Sequence, residues 1–376
     1  MTCQSSQIHM PAEGSRDKMP DIVPALTAPD CQNKVVIAGP CSAESEQQTL
    51  RTATELNSLG MVHMFRAGLW KPRTRPGCFE GCGAEGLPWL KKVKELTGLP
   101  VATEVATSAH VQAAVEAGID AIWLGARTTV NPFAVQEIAD TLARCGTDVA
   151  VFVKNPATPD LELWIGAMQR LYNAGVRRMS AIHRGFSVYG PSEYRNPPQW
   201  SVPIELHRRM PHLQLIFDPS HTGGRRDMVA VLAREAYNLG FDGLIVESHC
   251  EPDTALSDAA QQITPAQLDE VLRSLVAPLP GEPDMRIKEL RAGIDRLDSE
   301  LLEVIARRMQ LSDEIGQLKM HSNIPVLQPS RYDDLMKTRL MLADKLGLDS
   351  AMVSAILRAI HAASVSRQLR QRDPGT

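Results

Sequence analysis

The sequence predicts an α/β chain: a closed (β/α)8 barrel followed by a separate all-α helical domain. Three observations carry this. Eight short apolar runs recur between residues 34 and 248, each finishing near a polar or charged group, and helix-length segments separate them. After a proline-rich stretch at 277–285, the apolar spacing changes to alternating threes and fours. Fully apolar strands alternating with helices imply a parallel sheet covered on both faces, and eight repeats imply closure. An open doubly wound sheet would want a glycine-rich dinucleotide fingerprint, which the sequence lacks.

Residues 1–33 are polar, carry prolines at 11, 20, 24 and 29, and show no sustained period, which predicts an extended or poorly ordered arm. The barrel is expected over 34–276. Its runs are KVVIAG, MVHMFRAG, LPVATEV, AIWLGA, AVFVKN, RRMSAIH, LQLIFDP and GLIVES, with crossover segments such as SEQQTLRTATELNSL and PFAVQEIADTLARC between them. The stretch 277–285 places three prolines and a glycine in nine residues and reads as a linker. From 286 to 376 a helical domain is expected. Ile287, Leu290, Ile294, Leu297, Leu301, Val304, Leu311, Ile315 and Leu318 describe one long helix with a narrow apolar seam.

Composition removes several classes of function. A formal net charge of -4 gives no reason to expect a nucleic-acid or membrane partner, and no apolar run approaches the roughly 18 residues of a span. Seven scattered cysteines without a basic-then-apolar leader read as a reduced, cytoplasmic protein. Cys78 and Cys82 lack a second pair at finger-like spacing, which argues against a separate zinc site there.

In a parallel barrel the active site lies at the carboxyl ends of the strands. Cys41, His221 and Glu247 end three runs, and Asp258 follows eleven residues after Glu247. A thiolate, an imidazole and two carboxylates suit a borderline divalent ion such as Mn2+, Fe2+, Co2+ or Zn2+, although any one of them alone reads as a satisfied buried group. Arg66, Lys71, Arg127, Lys154, His183 and Arg184 end or follow the other runs. So many cations facing one cavity call for anions, and arginine forks and lysine ammonium groups suit phosphates and carboxylates. The expected chemistry is aldol-type or carboxyvinyl transfer on phosphorylated sugars, with a metal polarising a carbonyl.

GPCS, FRAG, KPRT, GART, the strand-five lysine, HRG, DPSHTGG and VESH with the following ALSD stretch resemble the 3-deoxy-D-arabino-heptulosonate 7-phosphate (DAHP) synthases over about residues 34–275. The KPRT segment favours them over the sister 3-deoxy-octulosonate 8-phosphate synthases, which carry an asparagine-containing variant there. The resemblance implies phosphoenolpyruvate and erythrose 4-phosphate as substrates and Cys41, His221, Glu247 and Asp258 as metal ligands. It also implies that Arg66, Lys71, Arg127, Lys154 and Arg184 surround phosphoenolpyruvate and that Arg73 and Thr74 take the aldose phosphate. Lys71 is the expected proton donor to the new alkoxide.

In the long helix one seam position is occupied by Arg308, with Arg291 and Lys319 one position past the seam. An arginine in an apolar seam either snorkels out or meets an anion. Ser364 and Gln368 sit four apart on a later helix. The pattern resembles the all-helical chorismate mutases over 286–370, with Arg291, Arg308, Lys319, Arg331, Ser364 and Gln368 at anion-binding and ether-contacting positions. Gln328 and Tyr332 depart from it, standing where many members carry acids. A ligand-sensing module with feeble catalysis is the alternative. The resemblance further implies a homodimer through the helical domain, with Arg291 crossing to the other chain's site. No separate regulatory domain is visible in the sequence, so prephenate or chorismate in the mutase pocket is the expected feedback signal.

Overall fold

The computed structural model describes residues 19–28, 34–71, 77–276 and 284–372. It divides into two compact units, Met1–Pro278 and Leu279–Thr376. In the first, β1 (Val35–Gly39), β2 (Met64–Arg66), β3 (Val101–Val105), β4 (Ala121–Leu124), β5 (Ala150–Lys154), β6 (Met179–His183), β7 (Gln214–Phe217) and β8 (Gly243–Glu247) form a closed barrel in sequence order. Every pairing is parallel, and β1 closes on β8 from Val35↔Gly243 to Gly39↔Glu247.

Alternation along each strand divides the core in two. Val36 and Ala38, Ile122 and Leu124, and Val151 and Val153 pack outward under the helices. Val35, Ile37, Trp123, Phe152, Ile182 and Ile245 fill the barrel interior. Because the side-chain period is two, the interior face continues upward through the strand ends, and whatever stands there points into the mouth. Local signals fix the covering helices: Ser45, Thr107, Asn131 and Asp160 cap the N-termini of 46–57, 108–116, 132–145 and 161–173, and left-handed Gly98 and Gly146 end two helices.

The expectation of a loose N-terminal arm does not hold for residues 19–28. Met19, Ile22 and Ala25 are buried, Val23 pairs in parallel with Arg178, and the Ala25 N–H donates to Ser180 Oγ at 2.9 Å. Ala25 joins the interior cluster, so this segment closes the amino-terminal end of the barrel with apolar side chains that a polar composition conceals.

In the second unit, α1 (Asp284–His321), α2 (Pro329–Lys345) and α3 (Ser350–Arg372) follow one another, α3 packing on both others. Helix α1 starts two residues before the expected domain boundary. Residues 277–283 of the expected linker lie outside the described residues. The apolar seam of α1 is not what holds this unit together. Met309 and Ser312 are buried against α3, whereas Leu297, Leu301, Leu311 and Leu318 are 52–68% exposed. No helix among the described residues is long and apolar enough to cross a membrane.

Candidate functional site

At the carboxyl end of the barrel the interior-facing positions are Cys41, Arg66, Glu104, Lys154, Arg184, Asp218 and Glu247, each standing two residues beyond an interior core residue or, for Cys41, four. A cavity of ≈330 Å3 opens above them, lined among others by Lys71, Glu104, Arg127, Lys154, Arg184 and His221.

Ligand atoms of Cys41, Glu247 and Asp258 all lie within 4.8 Å of one another. His221 Nε2 is 3.6 Å from Glu247 Oε1, and its Nδ1 is 2.8 Å from Asp218 Oδ2, which leaves Nε2 turned toward the same centre. Asp258 has a left-handed backbone, φ 47°, a conformation aspartate tolerates better than most residues. Gln261 Nε2 holds the other Glu247 oxygen at 2.7 Å, and Gln262 Oε1 accepts from the Cys41 N–H at 2.9 Å.

This donor set fits a metal ion. Glu247 Oε1 is buried with no hydrogen-bond partner, and burial together with the Glu247 carboxylate pushes the Cys41 thiol up to about 12. A divalent cation would satisfy the orphaned oxygen and convert the thiol to a ligand thiolate. Burial favours neutral acids at Asp218, but the facing His221 and Lys154 hold its carboxyl well below the ordinary range. Burial lowers His221 against the opposing pull of the Asp218 carboxylate, with Lys154 adding to the lowering, and this favours the neutral imidazole that can coordinate.

The cationic ring differs from expectation in two ways. His183 is not part of it: counted from interior Ile182 it faces outward, sits among Trp164, Phe186, Trp200 and Phe217, and is pushed down to about 3 by burial. The remaining cations are also interleaved with carboxylates. Lys154 Nζ contacts Asp218 Oδ2 at 2.8 Å, Lys71 Nζ lies 3.8 Å from Glu104 Oε2, and Arg195 Nη1 lies 3.3 Å from Asp258 Oδ1. Repulsion among the cations is therefore partly relieved by the protein itself. Arg184 hydrogen-bonds a neutral amide, Asn196 Oδ1, at 2.8 Å; burial lowers it to about 10, so it stays charged at neutral pH.

Arg66 does not reach the cavity surface. It is fully buried, 4.7 Å above the Trp123 ring, donating to the Cys41 carbonyl at 3.0 Å and standing 3.3 Å from Glu247 Oε1. It braces Cys41 and Glu247 from behind. Lys71 also donates to the Cys41 carbonyl, at 3.2 Å. Arg73 and Thr74 lie outside the described residues. Glu104, Asp218, Arg195 and Asn196 were not anticipated; alternation alone would have found the first two. Gly125 makes room for Glu104, since a Cβ there would stand 2.2 Å from Glu104 Oε1.

In the helical unit Arg308 meets Ser364, while Lys319 and Gln368 make contacts of their own. Arg308 Nη1 donates to Ser364 Oγ at 3.0 Å and Lys319 Nζ to the Val326 carbonyl at 2.7 Å. Gln368 Nε2 donates to Ser312 O and Oγ, both at 2.9 Å, so here the amide clips α3 to α1. Arg331 is exposed on α2. Arg291 is exposed on α1, 17 positions from Arg308. At 1.5 Å per residue that is about 25 Å, too far to share one small ligand within the chain.

Residues 28–277 match the pattern of the DAHP synthetase I family, and residues 290–369 match that of chorismate mutase type II. A phospho-2-dehydro-3-deoxyheptonate aldolase of Thermotoga maritima is 34% identical over 229 residues, 61% of this chain and 64% of that protein. A 2-dehydro-3-deoxyphosphooctonate aldolase of Geobacter metallireducens is 32% identical over 260 residues, 65% of this chain and 91% of that protein. The crystal structure of the Thermotoga maritima DAHP synthase superposes with a TM-score of 0.58 at 31% identity, covering 64% of this chain and 68% of that one. A truncated form of that synthase gives 0.57 at 28%, covering 67% and 91%.

Proposed function

Because the chain belongs to the DAHP synthetase I family and carries a chorismate mutase type II domain, we propose a bifunctional enzyme of the shikimate pathway. The barrel condenses phosphoenolpyruvate with erythrose 4-phosphate, giving DAHP and phosphate. The helical domain rearranges chorismate to prephenate. The observation that supports the first reading is the clustering of Cys41, Glu247 and Asp258, with His221 Nε2 3.6 Å from Glu247, at a cavity lined by Lys71, Arg127, Lys154 and Arg184.

Cys41, His221, Glu247 and Asp258 would hold the divalent ion, which supplies Lewis-acid polarisation of the aldehyde carbonyl. Lys154, Arg184 and Arg127 bind the carboxylate and phosphate of phosphoenolpyruvate and present its C3 to the aldehyde carbon. As the C–C bond forms, the carbonyl oxygen becomes an alkoxide, and Lys71 delivers a proton to it. Burial opposes the charged form of Lys71, but Cys41 when it is a thiolate and the Glu104 and Glu247 carboxylates outweigh it and raise the ammonium, so the proton is present at neutral pH. Water then adds at C2 of the former enolpyruvate, and phosphate leaves from that carbon.

The Geobacter relative supports a second reading, condensation with a five-carbon aldose phosphate. Whole protein should consume phosphoenolpyruvate with erythrose 4-phosphate at least about tenfold faster, as kcat/KM, than with arabinose 5-phosphate, a difference of about 1.4 kcal/mol. The reverse preference would replace the first reading by the second.

The exposed leucines of α1 and the distance between Arg291 and Arg308 support a homodimer in which α1 of one chain lies on the other and brings Arg291 to its site. The mutase pocket is also the proposed seat of feedback by prephenate or chorismate. A coupling of about 1–3 kcal/mol would slow condensation roughly 5- to 150-fold when the pocket is saturated. Prephenate should inhibit the synthase in the intact protein but not after truncation at Pro280; equal insensitivity in both would end the regulatory idea.

A further inference from the structure

We propose that His361, packed against the tilted ring of Tyr332, is a third ligand-facing group of the helical site and takes up a proton when a dicarboxylate binds there. The inference rests on the reading of this domain as a chorismate and prephenate site. His361, Ser364 and Gln368 are spaced three and four apart on α3 and so share one face. Ser364 meets Arg308 and Gln368 meets Ser312, which fixes that face as the one turned toward α1. His361 is therefore one turn from the contact that orients Arg308.

From α2, Tyr332 holds the imidazole, with ring centroids 4.5 Å apart and planes tilted by 42°. Tyr332 is one of the two positions at which the chain departs from the acidic pattern, and its partner here is the titratable ring of His361. The charged and titratable groups that face His361 are Arg308 and Lys319 of α1 and Tyr332 of α2. Burial first, then the charges of Arg308 and Lys319, disfavour the imidazolium.

A dicarboxylate pairing with Arg308 and Lys319 cancels that repulsion and adds attraction of its own. The imidazole of the complex therefore binds a proton more tightly than that of the free protein, and by linkage the ligand binds more tightly as pH falls. The gain is complete below the free-protein pKa of His361 and is lost as pH rises through the higher pKa of the complex. In its charged form the ring donates an N–H to a ligand oxygen, a short charge-assisted bond.

The test is calorimetric titration of the full-length protein with prephenate between pH 6.5 and 8.5, in buffers of different ionisation enthalpy. Wild type should take up part of a proton per site, with affinity rising about three- to tenfold as pH falls. His361→Leu should abolish the uptake and weaken prephenate roughly tenfold. His361→Gln, which keeps a donor but cannot titrate, should recover part of the affinity with no uptake. Equal uptake in wild type and His361→Leu, or an affinity unchanged by the substitution, would overturn the proposal. If wild type binds no prephenate at all, the reading of the domain fails and the inference with it. If mutase turnover and prephenate binding are intact while proton uptake is zero, only the role of His361 fails.

Discussion

Cys41→Ala should reduce condensation by at least about a thousandfold while leaving chorismate turnover by the same molecules unchanged. The size follows from what the thiol does at its position. Cys41 is fully buried with its Sγ 3.4 Å from Asp258 Oδ2 and its carbonyl held by both Arg66 and Lys71. It is thus a donor whose orientation is set before any ion arrives. Removing it leaves an imidazole and two carboxylates, a harder and looser set that holds a borderline ion less tightly and less rigidly. Lewis-acid polarisation is worth several kcal/mol of transition-state stabilisation, so its loss translates into three or more powers of ten. Excess metal should not restore the rate, because the defect is in position as well as affinity. Chelation of the wild type should give the same loss, reversed by Mn2+, Fe2+, Co2+ or Zn2+ to different extents. Persistence of full synthase activity in chelator, with metal removal verified by elemental analysis, would remove the metal from the mechanism. Mutase activity serves as the internal control for folding.

The barrel and the places of Cys41, His221 and Glu247 at its carboxyl end were legible because short-range rules govern them. A parallel strand buried on both faces must be an apolar run, and a side chain just past its end must enter the mouth. The same rule, applied at each residue, separates His183 from Arg184. His183 is odd relative to interior Ile182 and falls among aromatic rings, while Arg184 is even and enters the cavity. It also reaches Glu104 from Ala102 and Asp218 from Ile216, two carboxylates that a search for cations passes over. Arg195 and Asn196 belong to the long segment after β6, where no period operates, and only tertiary contact brings them to Asp258 and Arg184. In α1 the apolar pattern was legible, but its meaning was not. A stripe of leucines is read the same way whether it faces α3 or another chain, and here Met309 and Ser312 turn out to face α3.

Lys319→Ala should lower mutase kcat by about a hundred- to a thousandfold and raise KM much less. The rearrangement of chorismate is unimolecular: the C–O bond of the ether breaks as a C–C bond forms, and negative charge grows on the ether oxygen in passing. A protein accelerates it by holding the chair-like conformer and by placing a donor where that charge appears. Arg308, oriented by Ser364, would meet a carboxylate that is equally charged in ground and transition states, so its removal should weaken binding throughout. Lys319 is different. The Val326 carbonyl accepts from its ammonium and helps to fix it in place, where a point charge can meet the negative charge that develops on the ether oxygen. The Gln368 amide is committed to Ser312 in this arrangement, which leaves more of the developing charge to Lys319. An interaction realised only as charge develops shows in kcat, and deletion of one such donor costs about 3–4 kcal/mol. Arg308→Ala should show the opposite division, with the larger change in KM. Condensation by the barrel, measured without prephenate, should be unaffected by either substitution. A Lys319→Ala protein with unchanged kcat would show that another group faces the ether oxygen, and an equal loss in kcat for Arg308→Ala would show that the two cations act as a unit.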